Sequence, residues 1–258
     1  MSDISCAIPL LPPAISTTGG VEPRSHCCQV ASLDWAANAC TKGFTTQRNN
    51  VNFSPRRSLA ALEWCADHME VTHTAVFLTA AFGVNDLLAT VLSADKDYLR
   101  YVLLKKEGGN IETLRRDPDT RIAVGAVKKG DTFDRFLQEK TTNLNTHVRY
   151  IHTKYMLIDP LSDDPLVITG SANFSDASTK NNDENMLVIR GDRRVANIYL
   201  GEFMRLFNHY YSRYVTTMQA IEQPKEAKAV YLKPDDSWLT GYYEPGSPKQ
   251  KERLYFVS

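Results

Sequence analysis

His152 and Lys154 stand two residues apart in the run Ile151-His152-Thr153-Lys154-Tyr155-Met156-Leu157-Ile158-Asp159. Ser171 and Asn173 are likewise two apart in Thr169-Gly170-Ser171-Ala172-Asn173-Phe174-Ser175. Alternate side chains share one face of an extended strand, so each pair points one way. If the two strands are neighbours joined by a turn through Pro160 to Pro165, an imidazole, an ammonium, a hydroxyl and an amide converge on one small volume. That set of donors suits a phosphate group.

A phosphodiester resists hydrolysis because its anionic phosphorus must be attacked and an alkoxide must leave. A neutral imidazole at His152 is nucleophilic near neutral pH and can form a phosphohistidine, which divides one hard step into two. Lys154 supplies fixed positive charge, while Ser171 and Asn173 add neutral donors to oxygens whose charge rearranges in the transition state. Glu184, in Asn181-Asn182-Asp183-Glu184-Asn185, is the candidate to hold the other ring nitrogen of His152 and fix its tautomer. This chemistry calls for no metal ion and no other cofactor.

The elements that must position these groups follow from periodicity. Short runs of strand type lie at Ala75 to Phe82, Tyr101 to Leu104, Ile122 to Val127, Tyr155 to Asp159, Leu166 to Thr169 and Met186 to Ile189. They alternate with helical stretches, which predicts an α/β fold with a largely buried sheet. A first helix is expected from Ser54-Pro55, where Ser suits the N-cap and Pro the first turn, with Leu59, Leu62, Ala66 and Met69 on its apolar stripe. Crossover helices are expected at Asn85 to Leu92 and Thr132 to Lys140. A long closing helix from Arg193 to Tyr214 carries Val195, Tyr199, Phe203, Leu206 and Tyr210 at helical spacing. Residues 1–52 lack periodicity and read as an irregular lead-in, 53–218 as the catalytic domain, and 219–258 as an extended tail laid over it. In that tail Trp238, Tyr242 and Tyr243 are expected to pack on the body rather than face lipid.

The residues of the site carry a resemblance. His152-x-Lys154-x4-Asp159 followed by Gly170-Ser171-Ala172-Asn173 and the acidic Asn182-Asp183-Glu184-Asn185 resembles the phospholipase D superfamily, marked by H-x-K-x4-D and a Gly-Ser-x-Asn turn. The likeness implies helices on both sides of a mixed sheet, a phospholipase D-like α/β/α sandwich. It implies His152 as nucleophile, Lys154, Ser171 and Asn173 as phosphate ligands, and Asp159 as a motif residue serving either catalysis or structure. The ten residues between Asp159 and Gly170 exceed the family's usual gap, which the turn Pro160-Leu161-Ser162-Asp163-Asp164-Pro165 accommodates as a longer hairpin.

Superfamily sites combine two such motifs, one histidine attacking and the other protonating the leaving group, and this sequence has one. None of His26, His68, His73, His147 and His209 is followed by Lys two residues on; His147-Val148-Arg149 comes nearest and lacks the spaced Asp. The second half-site then comes from a C2 homodimer mate, or belongs to a missing upstream motif, in which case the isolated chain would be poorly active.

Thirty Lys and Arg balance thirty Asp and Glu among 258 residues, so no whole-molecule field draws in nucleic acid or an anionic membrane. Lys105 to Lys140 holds nine basic and seven acidic residues, too small a surplus for a basic groove. The charge balance favours a phospholipid or another small phosphodiester over DNA or RNA. The leading reading is thus phospholipase D-type hydrolysis or head-group transfer; a dimeric single-motif endonuclease and an inactive half-enzyme or binding domain are the alternatives. Met1 to Pro13 has no Lys or Arg and is broken by Pro9, Pro12 and Pro13, unlike a signal peptide, and no run reaches transmembrane length. The five cysteines, Cys6, Cys27, Cys28, Cys40 and Cys65, lack zinc-site spacing and suit a reducing compartment. These features predict a cytoplasmic protein with peripheral membrane contact.

Overall fold

The computed structural model describes residues 49–81, 84–94, 96–108, 111–126, 151–222 and 235–257. Most of the irregular lead-in, the crossover helix at Thr132 to Lys140, His26 and His147 lie outside the described residues. Among these residues the elements in chain order are β1 (Asn49–Phe53), α1 (Ala60–Glu70), β2 (Ala75–Ala80), α2 (Asp86–Ser93), β3 (Leu99–Leu104), α3 (Ile111–Arg116), β4 (Thr120–Val124), β5 (Tyr155–Ile158), β6 (Leu166–Gly170), α4 (Asp176–Lys180), β7 (Asn185–Arg190) and α5 (Arg193–Glu222). After a 3-10 turn at Asp236–Leu239, α6 (Thr240–Tyr243) and α7 (Pro248–Tyr255) close the order.

The strands form one mixed sheet in the order β1-β7-β6-β5-β2-β3-β4. β2, β3 and β4 run parallel, and every other pair is antiparallel. All residues of β2, β3 and β5 are buried, the pattern of central strands covered on both faces. On one face Leu62 and Met69 of α1, Leu88 and Leu92 of α2 and Ile111 and Leu114 of α3 pack on Val76, Leu78, Met156 and Ile168. On the other, Ala196, Leu200, Phe203, Phe207 and Tyr210 of α5 recur at helical spacing and pack on Phe77, Leu157 and Val167. Burying each large side chain of these two cores contributes roughly 1.5–3 kcal/mol. The result is the α/β/α sandwich expected from the sequence, and no helix among the described residues is long and apolar enough to cross a membrane.

Three expectations need correction. β1 was not foreseen, because Asn49, Asn50 and Asn52 are poor strand formers; pairing with β7, Phe53 opposite Asn185, makes it a strand. The lead-in therefore gives way to regular structure at Asn49. The first helix starts at Ala60, not Ser54-Pro55, because Ser54 N–H donates to Glu184 O at 2.9 Å and Arg56 N–H to Thr179 O at 2.7 Å. Those bonds tie the segment to the sheet end. The tail is helical where it was expected to be extended, with Ser247 accepting from Gln250 N at 3.1 Å and Pro248 in the first turn. It does lie on the body, through different residues: Glu252 accepts from the Tyr101 hydroxyl, Lys251 pairs with Asp97 and with Asp119, and Tyr255 lies 6.0 Å from the Phe77 ring. Trp238 and Tyr243 remain 52% and 62% exposed.

Candidate active site

The register brings one end of every inner strand to a common edge. The end of β2 meets the start of β5 (Thr79 opposite Tyr155), the start of β5 meets the end of β6 (Tyr155 opposite Thr169), and the end of β6 meets the start of β7 (Gly170 opposite Met186). The hairpin turn through Pro160 to Pro165 thus joins neighbouring strands, as the sequence argument required. The site residues lie just beyond the strand ends. His152, Thr153 and Lys154 lead into β5, and Ser171, Ala172 and Asn173 follow β6.

Buried Ile151 and Tyr155 pin the two ends of the His-x-Lys stretch into the α5 side of the core. Between them His152 is exposed and Lys154 half-buried. Lys154 Nζ donates to His152 O at 2.8 Å, which folds the ammonium back toward the imidazole's own residue. Partial desolvation, then the positive charges of Lys154 and Lys105, push the His152 imidazole below its ordinary pKa, against an upward pull from Glu184. Lys154 is likewise lowered by desolvation, held up by Glu184 and depressed by Lys105. His152 and Lys154 thus both feel the charges of Lys105 and Glu184. The sequence argument anticipated three of the four.

Gly170 explains why the turn after β6 begins with glycine. Its φ is +147°, and a Cβ there would stand 2.3 Å from Asn185 O. Ser171 is exposed; its Oγ accepts from Asn185 N at 3.0 Å, and its N–H approaches Asn185 Oδ1 at 3.4 Å. Having accepted one bond, the hydroxyl still carries a proton to donate. Asn173 is held by Ser178, whose buried Oγ accepts from Asn173 N at 3.2 Å and from Nδ2 at 3.3 Å. Asn173 Oδ1 is then buried without a partner. Turning the amide over lets the Ser178 hydroxyl donate to Oδ1 and leaves Nδ2 as the group in need of an acceptor.

Asp159 does not join this group. It lies at the far end of β5, about 16 Å along the strand from Lys154. Its carboxylate accepts from Thr74 Oγ1 at 2.7 Å, Thr74 N at 2.9 Å, Ala75 N at 3.0 Å and His73 N at 3.2 Å. With φ of +46°, it closes the turn and ties the end of β5 to the start of β2. Of the two roles weighed for it, these bonds support the structural one. Of the other histidines, His68 packs 3.9 Å from the Trp64 ring, and His209 bonds Arg213 at 2.8 Å. Neither approaches the role of a second catalytic imidazole.

Sequence reasoning missed Lys105, Asn185 and Ser178. The last two support the turn through bonds that spacing does not reveal. Lys105 had one usable signal: it directly follows a buried strand that ends at this edge.

The chain matches the family model described as cardiolipin synthase, PLD-like domain, over residues 87–207, which include His152, Lys154, Ser171, Asn173 and Glu184. No curated protein matches it. Among solved structures it is similar to NucT from Helicobacter pylori, at 19% identity over 62% of this chain and 96% of that one, with a TM-score of 0.48. It is also similar to Nuc from Salmonella typhimurium, a phospholipase D family member, at 18% identity over 62% and 94% of the two chains, TM-score 0.43. Polyphosphate kinase from Porphyromonas gingivalis aligns at 13% identity over 61% of this chain and 26% of its own length, TM-score 0.43. With the motif in place on its sheet edge and the family model spanning it, residues 87–207 of the chain match a phospholipase D-like domain.

Proposed function

We propose that this chain cleaves or transfers phosphodiesters by covalent catalysis at His152, and that its natural substrate is a phospholipid. The observation that carries the reading is the sheet edge where the His152-x-Lys154 segment leading into β5 meets the turn after β6. There desolvation and the charges of Lys154 and Lys105 keep the imidazole below its ordinary pKa, hence neutral at neutral pH. A ring nitrogen of His152 attacks phosphorus, the bond from phosphorus to the leaving oxygen breaks, and that oxygen takes a proton from a second histidine. Water, or an acceptor alcohol, then attacks the phosphohistidine, returning its proton to the second histidine and freeing His152. Lys154, Ser171 and Asn173 hold the nonbridging oxygens, and Glu184 steadies the imidazolium character that develops on His152. Since ammonium and amide groups supply the charge stabilisation, the chemistry asks nothing of a metal ion.

The second histidine comes from His152 of a symmetry mate, or from an upstream half absent from this sequence. The description of the matching family model, cardiolipin synthase, supports a lipid diester, as does the even charge of the chain. One feature favours nucleic acid as a second reading. Exposed Phe53 and Arg57 stand on the segment bonded to Glu184, an aromatic and a cation of the kind that stack on and neutralise a single strand.

The test combines light scattering of the full chain with turnover of a lipid diester, single-stranded DNA and an aryl phosphodiester, all in EDTA. A dimer that turns over in chelator and yields a trappable phosphohistidine supports the reading. Loss of turnover in EDTA with recovery on adding a divalent ion would sink it.

A further inference from the structure

Lys105 follows β3 at the edge that carries the site, and only 8% of it is exposed. Its backbone is held on both sides, its N–H donating to Ala80 O at 3.2 Å and its carbonyl accepting from Ala126 N at 2.9 Å. The next turn is anchored as well. Glu107 pairs with Arg115 at 3.3 Å and accepts from the Tyr214 hydroxyl at 3.3 Å, while Arg115 also donates to Tyr214. Ala80 ends the strand beside β5, so this well-held lysine stands one strand beyond the partner of the His152 segment. Its charge bears on both His152 and Lys154.

Lys105 is buried and Lys154 half-buried, and cations partly shielded from water act on phosphoryl oxygens more strongly than they would in bulk water.

We propose that Lys105 is a further phosphate-binding residue, contacting a nonbridging oxygen of the scissile phosphodiester together with Lys154. The proposal rests on the reading of His152 as nucleophile and adds a residue outside every motif of the sequence. It assigns the segment Lys105–Glu107 and its anchors Arg115 and Tyr214 the task of positioning that ammonium.

The test compares Lys105→Met and Lys105→Arg in the full chain, using inorganic phosphate as the probe and an aryl phosphodiester as the substrate. Lys105→Met should weaken phosphate binding by calorimetry about tenfold. It should also lower kcat/KM about a hundredfold. Lys105→Arg should recover most of both, since the charge is kept. The acid limb of the Lys105→Met pH profile should move upward, because one of the positive charges that lower the His152 pKa is then gone. Unchanged phosphate affinity in Lys105→Met overturns the proposal. So does a loss that tracks a fallen unfolding midpoint and is not recovered by Lys105→Arg. His152→Asn separates the two ideas: full turnover in that variant ends the nucleophile reading, while the phosphate titration still judges Lys105.

Discussion

The two ends of β5 carry the two ends of one sequence motif and do opposite work. At the leading end, His152 is exposed, Lys154 is half-buried, and Asn173 keeps a buried amide atom without a partner. At the trailing end, the Asp159 carboxylate accepts four hydrogen bonds from His73, Thr74 and Ala75. One end leaves the polar groups of the Asn173 amide only partly satisfied. The other satisfies its own and thereby fixes the strand that presents the first. The contrast divides His152-x-Lys154-x4-Asp159 into two devices joined by a strand, an open polar head and an anchored foot.

That division is open to attack by mutation. His152→Asn should cut turnover of an aryl phosphodiester by about a thousandfold or more. Because the side chain is exposed, its urea unfolding free energy should stay within about 0.5 kcal/mol of the parent. A stability loss equal to that of the foot would erase the distinction.

Asp159→Ala should do the reverse. Removing an acceptor shared by three backbone donors and a hydroxyl should cost about 3 kcal/mol by chemical denaturation. The folded fraction should keep kcat within a few-fold. Asp159→Asn should fall between, since asparagine tolerates the positive φ and retains one acceptor. A collapse of kcat in folded Asp159→Asn would return Asp159 to the chemistry.

Closer to the head, Glu184→Gln should lower kcat about a hundredfold if the carboxylate supports the developing imidazolium. KM should move little. Gly170→Ala tests the scaffold of the turn, where the added Cβ meets Asn185 O and the backbone has positive φ. A destabilisation of about 2 kcal/mol by thermal or urea unfolding is expected.

The smallest effect is a displacement along the pH axis. His152 must be neutral to attack, and activity is lost as pH falls through its folded pKa. Desolvation and the charges of Lys154 and Lys105 lower that pKa, so the acid limb of kcat/KM should lie below the ordinary histidine range near 6.5. Lys154→Gln removes one positive neighbour and should shift the limb of its residual activity upward. A shift downward would contradict the electrostatic picture.

Much of this was legible before the fold was known. The β5 run Tyr155-Met156-Leu157-Ile158 and the β2 run from Ala75 announce buried strands because nearly every side chain is apolar. The α5 stripe announces a helix by its spacing, and the spaced His152, Lys154, Ser171 and Asn173 announce anion chemistry. β1 stayed hidden, since an asparagine-rich strand is made by its partner β7 and not by its own propensity. The helical tail had a local signal in Ser247-Pro248 that its charged composition masked.

By itself, then, the sequence determined the sandwich, the hairpin and which side chains are candidates for the chemistry, because hydrophobic periodicity and side-chain chemistry are local properties. The tertiary structure alone decided that Asp159 is a brace and that Lys105 stands at the edge that carries the site. Both depend on which strand ends meet at which edge of the sheet, and that is set by register between segments up to 86 residues apart.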